Sequence, residues 1–384
     1  MAVMTLTKPE DRATTSVSGR GKLFHLQALR GLAASLVVLS HGAETLALRG
    51  LIPEAYADRL GISGYFGVAT FFIISGFIIC KTSAGAFGDP RGAAAFVLKR
   101  LIRIFPVYWI ATVAFYVLSP HRASYTAADV LCSVLLIPHE IGSSGDMHPL
   151  IGQGWTLQYE MLFYLIFTAG LFLTRRTGIL LILATLLCLV AAGEAVMPLS
   201  AIAEPLTLVQ YWTRPILLLF PVGIGFALLE ARLPRSFVVP RPFALMLGVL
   251  GLWFAYSLTF PLTATEQIRF PIVVVVWVLG AVWVFVSIFG RSRGGWTEAV
   301  AERFGDASYS VYLFHTFILS TLLRLNVQNS SPLLFVAAAL VGSNVFGFAT
   351  YRLVETPILR TFRGMLPTSR RDSSVPRRPP AEPR

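Results

Sequence analysis

The chain has 384 residues, of which 55% are hydrophobic and only 14% are charged. A soluble domain carries nearer ~25% charged residues, so a lipid bilayer has to take up the surplus apolar surface; an ordinary soluble enzyme, a disordered chain and a disulfide-stapled secreted module are excluded. The formal charge of +12 sits in short clusters between apolar runs, which suits the cytoplasmic loops of a membrane protein and argues against a nucleic-acid partner.

Residues 1–22 are polar and basic and read as a cytoplasmic N-terminal segment. A membrane helix needs about 20 apolar residues. Ten such runs follow, at 26–47, 62–80, 104–120, 155–173, 178–196, 214–230, 242–260, 271–290, 308–324 and 333–352. They predict an all-α, polytopic membrane helix bundle of about ten transmembrane helices with both termini cytoplasmic, the transmembrane domain filling residues 23–357. The first run is full length and carries Arg30 and His41, unlike a cleavable signal. The stretch from Asp129 to Pro138 is too short to cross and reads as an interfacial or re-entrant piece.

With this count 26 of the 32 Lys and Arg residues face the cytoplasm, and only Arg49, Arg59, Arg122, Arg214, Arg269 and Arg324 fall outside. An eleventh span would send Arg175 and Arg176 outside and break the positive-inside bias. Residues 358–384 hold prolines and arginines without apolar periodicity and read as a disordered, basic cytoplasmic tail suited to anionic lipid. No internal repeat marks the two matched halves of many transporters. Cys80, Cys132 and Cys188 are far apart and show neither a CxxC pair nor a metal-ligand spacing.

Charged groups inside spans are expensive and usually functional. In LQALRGLAASLVVLSHG, Arg30 and His41 are eleven residues apart, about 1100° of rotation, so they share a helix face at a separation of roughly 16 Å along the axis. Either the arginine snorkels and a neighbouring helix satisfies the histidine, or the two line a polar track on which His41 acts as a base. Glu160 lies in GWTLQYEMLFY, five residues after Trp155 and one turn before Tyr164. A buried carboxylate must pair or take up a proton, and an Arg or His on another helix is the expected partner, in a structural ion pair or a catalytic site.

In GDASYSVYLFH, Ser308, Tyr312 and His315 fall on one helical face while Tyr309 looks elsewhere, and Asp306 or Ser308 is placed to cap the helix. His315 is either a core histidine or a residue near substrate. Arg100 and Arg103, one turn apart before Phe105 and Pro106, hold either lipid headgroups or the phosphates of a nucleotide-like donor. Ser75 and Gly76 fall mid-span, where small residues permit close packing; Ser75 is assigned no chemistry. The sequence has no GxSxG elbow, GxxxxGK loop, HExxH or GxGxxG motif.

Taken together, QALRGLAASLVVLSH, FFIISGFII, RLIRIFPVYW, GWTLQYEMLFY, GDASYSVYLFH and VETP at Glu355–Pro357 resemble the acyltransferase-3 family of integral membrane acyltransferases. The likeness is greatest to the bacterial exopolysaccharide O-acetyltransferase branch, and the motifs run in family order from residue 26 to 357. The resemblance implies an inner-membrane enzyme that takes an acyl group, usually acetyl, from cytoplasmic acyl-CoA, without a metal. The acceptor would be a hydroxyl of an exopolysaccharide, a lipid-linked or other cell-surface glycan, or a small molecule such as a macrolide.

On this resemblance His41 is the catalytic histidine with Arg30 as its companion, and Arg100 and Arg103 bind the donor. Glu160 and Trp155 form the family's tryptophan–glutamate motif, with Glu160 counted as catalytic. Trp155, Tyr164, Ser308, Tyr309, Tyr312 and His315 are the candidates for the substrate site. Thr156 stands where many members have serine, and the periplasmic SGNH-type domain fused to some members has no counterpart in the sequence. A lipid-linked glycan transporter and a non-catalytic scaffold are the competing classes; neither would bond an acyl group to its cargo.

Overall fold

The computed structural model describes residues 11–141, 147–196, 207–234, 237, 239, 269–289 and 302–363, and among these every regular element is helical. In chain order the helices are α1 (Asp11–Ala47), α2 (Glu54–Thr82), α3 (Pro90–Leu118), α4 (Ala127–Val134), α5 (Trp155–Leu171), α6 (Arg175–Val196) and α7 (Leu208–Trp212). There follow α8 (Leu219–Arg232), α9 (Arg269–Phe289), α10 (Ser308–Arg324), α11 (Val327–Ser330) and α12 (Pro332–Thr350), then a π-turn at Tyr351–Glu355 and α13 (Thr356–Arg363).

Among the described residues, five stretches are long and apolar enough to cross a membrane: Glu54–Thr82, Pro90–Leu118, Arg175–Val196, Leu208–Arg232 and Pro332–Phe362. In α9, Val273–Phe289 is a shorter apolar helix. The predicted run at 242–260 lies outside the described residues, and α1 starts at Asp11, well before the expected 26. The helices α1, α5 and α10 fall short of that standard for a physical reason. The first is long but polar, the other two have 17 residues each, and all three carry ionisable groups. Helix α1 is shielded from lipid by α2, α9, α10 and α12, which pack around it.

Close approach depends on small residues. A Cβ on Gly76 of α2 would collide with the carbonyl of Phe220, and one on Gly223 of α8 with the carbonyl of Ile73. The two glycines therefore let the α2 and α8 backbones touch at successive levels. The stacked Phe72 and Phe220 rings, 4.7 Å apart, fill the adjoining layer.

The stretch expected to be interfacial forms the eight-residue α4, opened by a capping box in which Thr126 and Asp129 satisfy each other's backbone N–H groups. It stops where Leu136 adopts a positive φ of 56°. Tyr108 donates to the Ser133 carbonyl at 2.8 Å and Trp109 to that of Val134 at 3.0 Å, binding α4 to α3. Ser133 Oγ in turn accepts the Leu150 N–H at 2.9 Å, which sets the approach into α5.

The π-turn follows from Pro357. Proline has no N–H, so the chain cannot close the regular ladder there. The turn widens instead, with the Thr356 N–H reaching the Tyr351 carbonyl five residues back. That widening directs the fully buried Glu355 into the bundle.

Burial pushes the Asp129 carboxyl up, but the Thr126 N–H and hydroxyl together with His139, 3.0 Å away, hold it below its ordinary value of 3.8. A carboxylate held low in the folded state stabilises above its unfolded value and loses that contribution as pH falls through the folded one. The stability gap between wild type and Asp129→Asn, measured by thermal melting in detergent, is therefore expected to be full at neutral pH and to close progressively below 3.8.

Candidate functional site

A cavity of about 500 Å³ opens between α1, α2, α3, α5 and α10, with Tyr351 of the π-turn and Leu359 of α13 at one end. Its polar wall holds Gln27, Arg30, Arg100, Arg103, Glu160 and Asp306, and its aromatic wall Phe71, Phe72, Tyr164, Tyr309 and Tyr312. Seven of the residues singled out from sequence thus meet in one space: Arg30, Arg100, Arg103, Glu160, Tyr164, Tyr309 and Tyr312.

Each charged group there has a distinct environment. Arg30 donates from Nη1 to Gln27 Oε1 at 2.8 Å, and Gln27 Nε2 donates onward to Asp306 Oδ1 at 2.6 Å. Arg103 Nη1 lies 3.2 Å from Glu355 Oε1, while Ser310 donates to the other Glu355 oxygen at 2.7 Å. The Arg100 guanidinium sits over the Phe96 and Tyr164 rings, 5.3 and 5.7 Å from their centroids, and its Nε has no hydrogen-bond partner. Glu160 Oε1 accepts from Ser75 Oγ at 2.7 Å and from Tyr164 OH at 2.5 Å.

These contacts correct four expectations. Glu160 is held by two hydroxyls rather than by an Arg or His hydrogen bond from another helix, so Ser75, assigned no chemistry, is part of the site. Tyr309, expected to look elsewhere, lines the cavity with Tyr312 and donates to the Ile104 carbonyl at 2.9 Å. Ser308 lies outside that lining, fully buried and with its hydroxyl unpartnered. Neither Asp306 nor Ser308 caps α10, whose N-cap is Ala307 without a side-chain bond. Asp306 is spent on Gln27 instead.

His41 and His315 come together beyond the cavity and outside its lining. Their rings stack with centroids 5.2 Å apart and an interplanar angle of 27°. His315 is fully buried and its Nδ1 is 2.7 Å from the Tyr312 carbonyl. A carbonyl only accepts, so Nδ1 carries the proton, and Nε2 is a bare acceptor with no partner. The side chain of His41 is 40% exposed, with Nδ1 3.1 Å from Glu44 Oε2.

Phe71 and Tyr312, both in the cavity lining, meet edge to face at 5.7 Å, and the Tyr312 ring is 6.2 Å from that of His315. The Tyr312 hydroxyl shares the Gln153 carbonyl with Thr156, all within 2.8–3.1 Å. Arg30 thus lines the cavity and His41 does not. Trp155 lies outside the lining too: it opens α5 with its ring edge-on to Tyr159 at 5.8 Å.

Sequence reasoning passed over Gln27, Glu44 and Glu355 as site members. Glu355 was legible only as part of the VETP motif, because nothing in a residue pattern shows a π-turn aiming a carboxylate inward. Glu44 follows His41 by three residues, a helical neighbour spacing that could have paired the two.

The family profile described as an acyltransferase domain, Acyl_transf_3, matches residues 24–352. The exopolysaccharide production protein ExoZ of Rhizobium meliloti (strain 1021) is 34% identical over 317 residues, covering 78% of this chain and 91% of that protein. BcsY of Komagataeibacter xylinus, provisionally named a membrane-bound transacylase, is 26% identical over 306 residues, covering 76% of this chain and 71% of its own. No solved structure matches the chain. The chain belongs to the acyltransferase-3 family, and it is an integral membrane acyltransferase.

Removing the Glu355 carboxylate strands both Arg103 and Ser310. Arg103 is 32% exposed, so water recovers part of the loss, and Glu355→Ala is expected to cost about 2–3 kcal/mol. Ser75→Ala, which removes one of two hydroxyls from Glu160, is expected to cost about 1 kcal/mol. Thermal melting of the purified protein in detergent orders the two.

Proposed function

We propose that this enzyme moves an acyl group, acetyl by family pattern, from cytoplasmic acyl-CoA to a hydroxyl of an exopolysaccharide. In this reading it does so across a bacterial inner membrane, in a bundle of about ten spans with both termini cytoplasmic. The name of its Rhizobium relative supports the acceptor class. The observation that carries the reading is a cavity with arginines in its wall and Tyr312 in its lining, one helical turn before His315 of the paired imidazoles.

The donor is strongly anionic and would enter from the side richer in Lys and Arg. Arg103 is already engaged by Glu355, so Arg100, with its Nε unpartnered, is the arginine most available to a phosphate. Arg30 sits in the same wall, and in this reading it serves the donor rather than acting as companion of the catalytic histidine. Glu160, held by Ser75 and Tyr164, keeps its oxygens fixed beside that path. The thioester end then passes Phe71 and Tyr312 to reach His41.

The partly exposed His41 faces an acceptor arriving from the other leaflet. The acceptor oxygen attacks the thioester carbon while His41 takes its proton. Collapse of the tetrahedral intermediate breaks the carbon–sulfur bond, and the departing thiolate receives that proton. The products are an ester and free CoA thiol.

His41→Ala is expected to abolish ester-linked acetate on the exopolysaccharide, read by NMR of the purified polymer, while protein level and membrane insertion stay intact. Wild-type acetylation by that variant would end the role of His41 as base. Arg100→Ala is expected to raise the donor KM about tenfold, worth ~1.4 kcal/mol, with the acceptor KM unchanged. An unaltered donor KM would return Arg100 to a packing role on its two rings.

A further inference from the structure

We infer that Glu44 is a positioning residue for catalysis: its carboxylate fixes the tautomer and orientation of His41 so that Nε2 is the free, basic edge. The inference rests on the reading of His41 as the base and adds to it a residue to which neither the family motifs nor the sequence pattern assigns a role.

Glu44 Oε2 is 3.1 Å from His41 Nδ1, one helical turn along α1. An ionised carboxylate can only accept, so the contact places the imidazole proton on Nδ1 and leaves Nε2 as a lone pair. The geometry is that of a histidine oriented by a carboxylate on one nitrogen while the other meets the substrate.

An exposed pair at this spacing would by itself be an ordinary surface contact worth less than about 1 kcal/mol. Two further observations distinguish it. First, one face of the His41 ring is pressed on His315 at 5.2 Å, and the Tyr312 carbonyl locks His315 in turn. The His41 imidazole thus has a wall on one face and a carboxylate on one edge, and its Nε2 edge is left for the reaction. Second, the backbone beneath is tied down, because Thr45 Oγ1 donates to the His41 carbonyl at 2.7 Å.

The two supports do different work. His315 restricts where the ring can lie, whereas Glu44 decides which nitrogen carries the proton. In the transition state His41 gains a proton and a positive charge, and the carboxylate beside Nδ1 stabilises that charge. A contact that strengthens only as the imidazolium forms acts on kcat rather than on donor binding.

Glu44 is 61% exposed, so a small carboxylate from solution can take its place. The experiment measures acyl transfer in membranes at matched protein level for wild type, Glu44→Ala, Glu44→Asp and His41→Ala, each with and without added formate. Glu44→Ala is expected to lose about tenfold to a hundredfold in kcat, less than the ~10⁴ seen when a fully buried orienting carboxylate is lost. Its donor KM should stay unchanged. Formate is expected to restore part of that kcat, Glu44→Asp to lie between the two, and formate to do nothing for His41→Ala.

Wild-type kcat in Glu44→Ala overturns the inference. So does a loss that neither formate nor the aspartate variant repairs, or a formate effect of equal size in His41→Ala. If Glu44→Ala does not accumulate, Glu44→Leu, which fills similar volume without an acceptor, carries the test, and an unchanged kcat there is equally decisive. A dead His41→Ala beside a fully active Glu44→Ala removes Glu44 alone. An active His41→Ala removes the base reading itself.

Discussion

Three guanidinium groups sit inside an apolar helix bundle, and an ionised group taken out of water costs several kcal/mol unless it is matched. Each of the three is matched differently. Arg30 is relayed through Gln27 to Asp306, Arg103 meets Glu355 directly, and Arg100 lies on two aromatic rings. Asp306, Glu355 and Tyr164 are distant in sequence from the arginines they serve, so the charge balance also pins α1, α3, α5, the π-turn and the approach to α10 to one another. A cavity walled by groups already compensated can stay open and polar without collapsing the bundle.

The same constraint explains why the helices richest in chemistry are the least apolar. Helices α1, α5 and α10 spend their faces on Arg30, Glu160, Tyr312 and the two histidines, and hydropathy alone undervalues them as spans. They are tolerated because more apolar neighbours enclose them. Helix α2 makes the closest of these contacts, against α1 on one side and α8 on the other. Glycines carry the tightest approaches, Gly67 of α2 lying against the Ala33 carbonyl and Gly76 against that of Phe220. Backbone contact of this kind leaves little freedom for helices to slide, which suits a site that must hold groups at fixed separation.

Separation of the arginine-lined wall from the imidazole pair is the feature that most shapes the chemistry. Phe71 and Tyr312 line the charged cavity, and the imidazole pair lies outside its lining. Tyr312 belongs to both, since its ring lines the cavity and its carbonyl fixes His315. In the proposed transfer the acyl group passes this residue, which would make its hydroxyl network with Thr156 and the Gln153 carbonyl part of the path.

The sequence by itself determined the membrane class, the all-helical architecture and most of the cavity's charged and aromatic wall. Those properties follow from composition, run length and the cost of placing ionisable residues in lipid, and they need no partner to be read. Helical spacing put Arg30 and His41 on one face, yet it could not say that Arg30 lines a cavity whose lining leaves out His41, because a period describes one helix and not its neighbours. Only the tertiary structure decided that Ser75 of another helix holds Glu160, that a proline-induced π-turn swings Glu355 onto Arg103, and that His315 stacks on His41. Each joins residues dozens to hundreds of positions apart or depends on a backbone irregularity. The geometry of such contacts is set by how helices pack against one another.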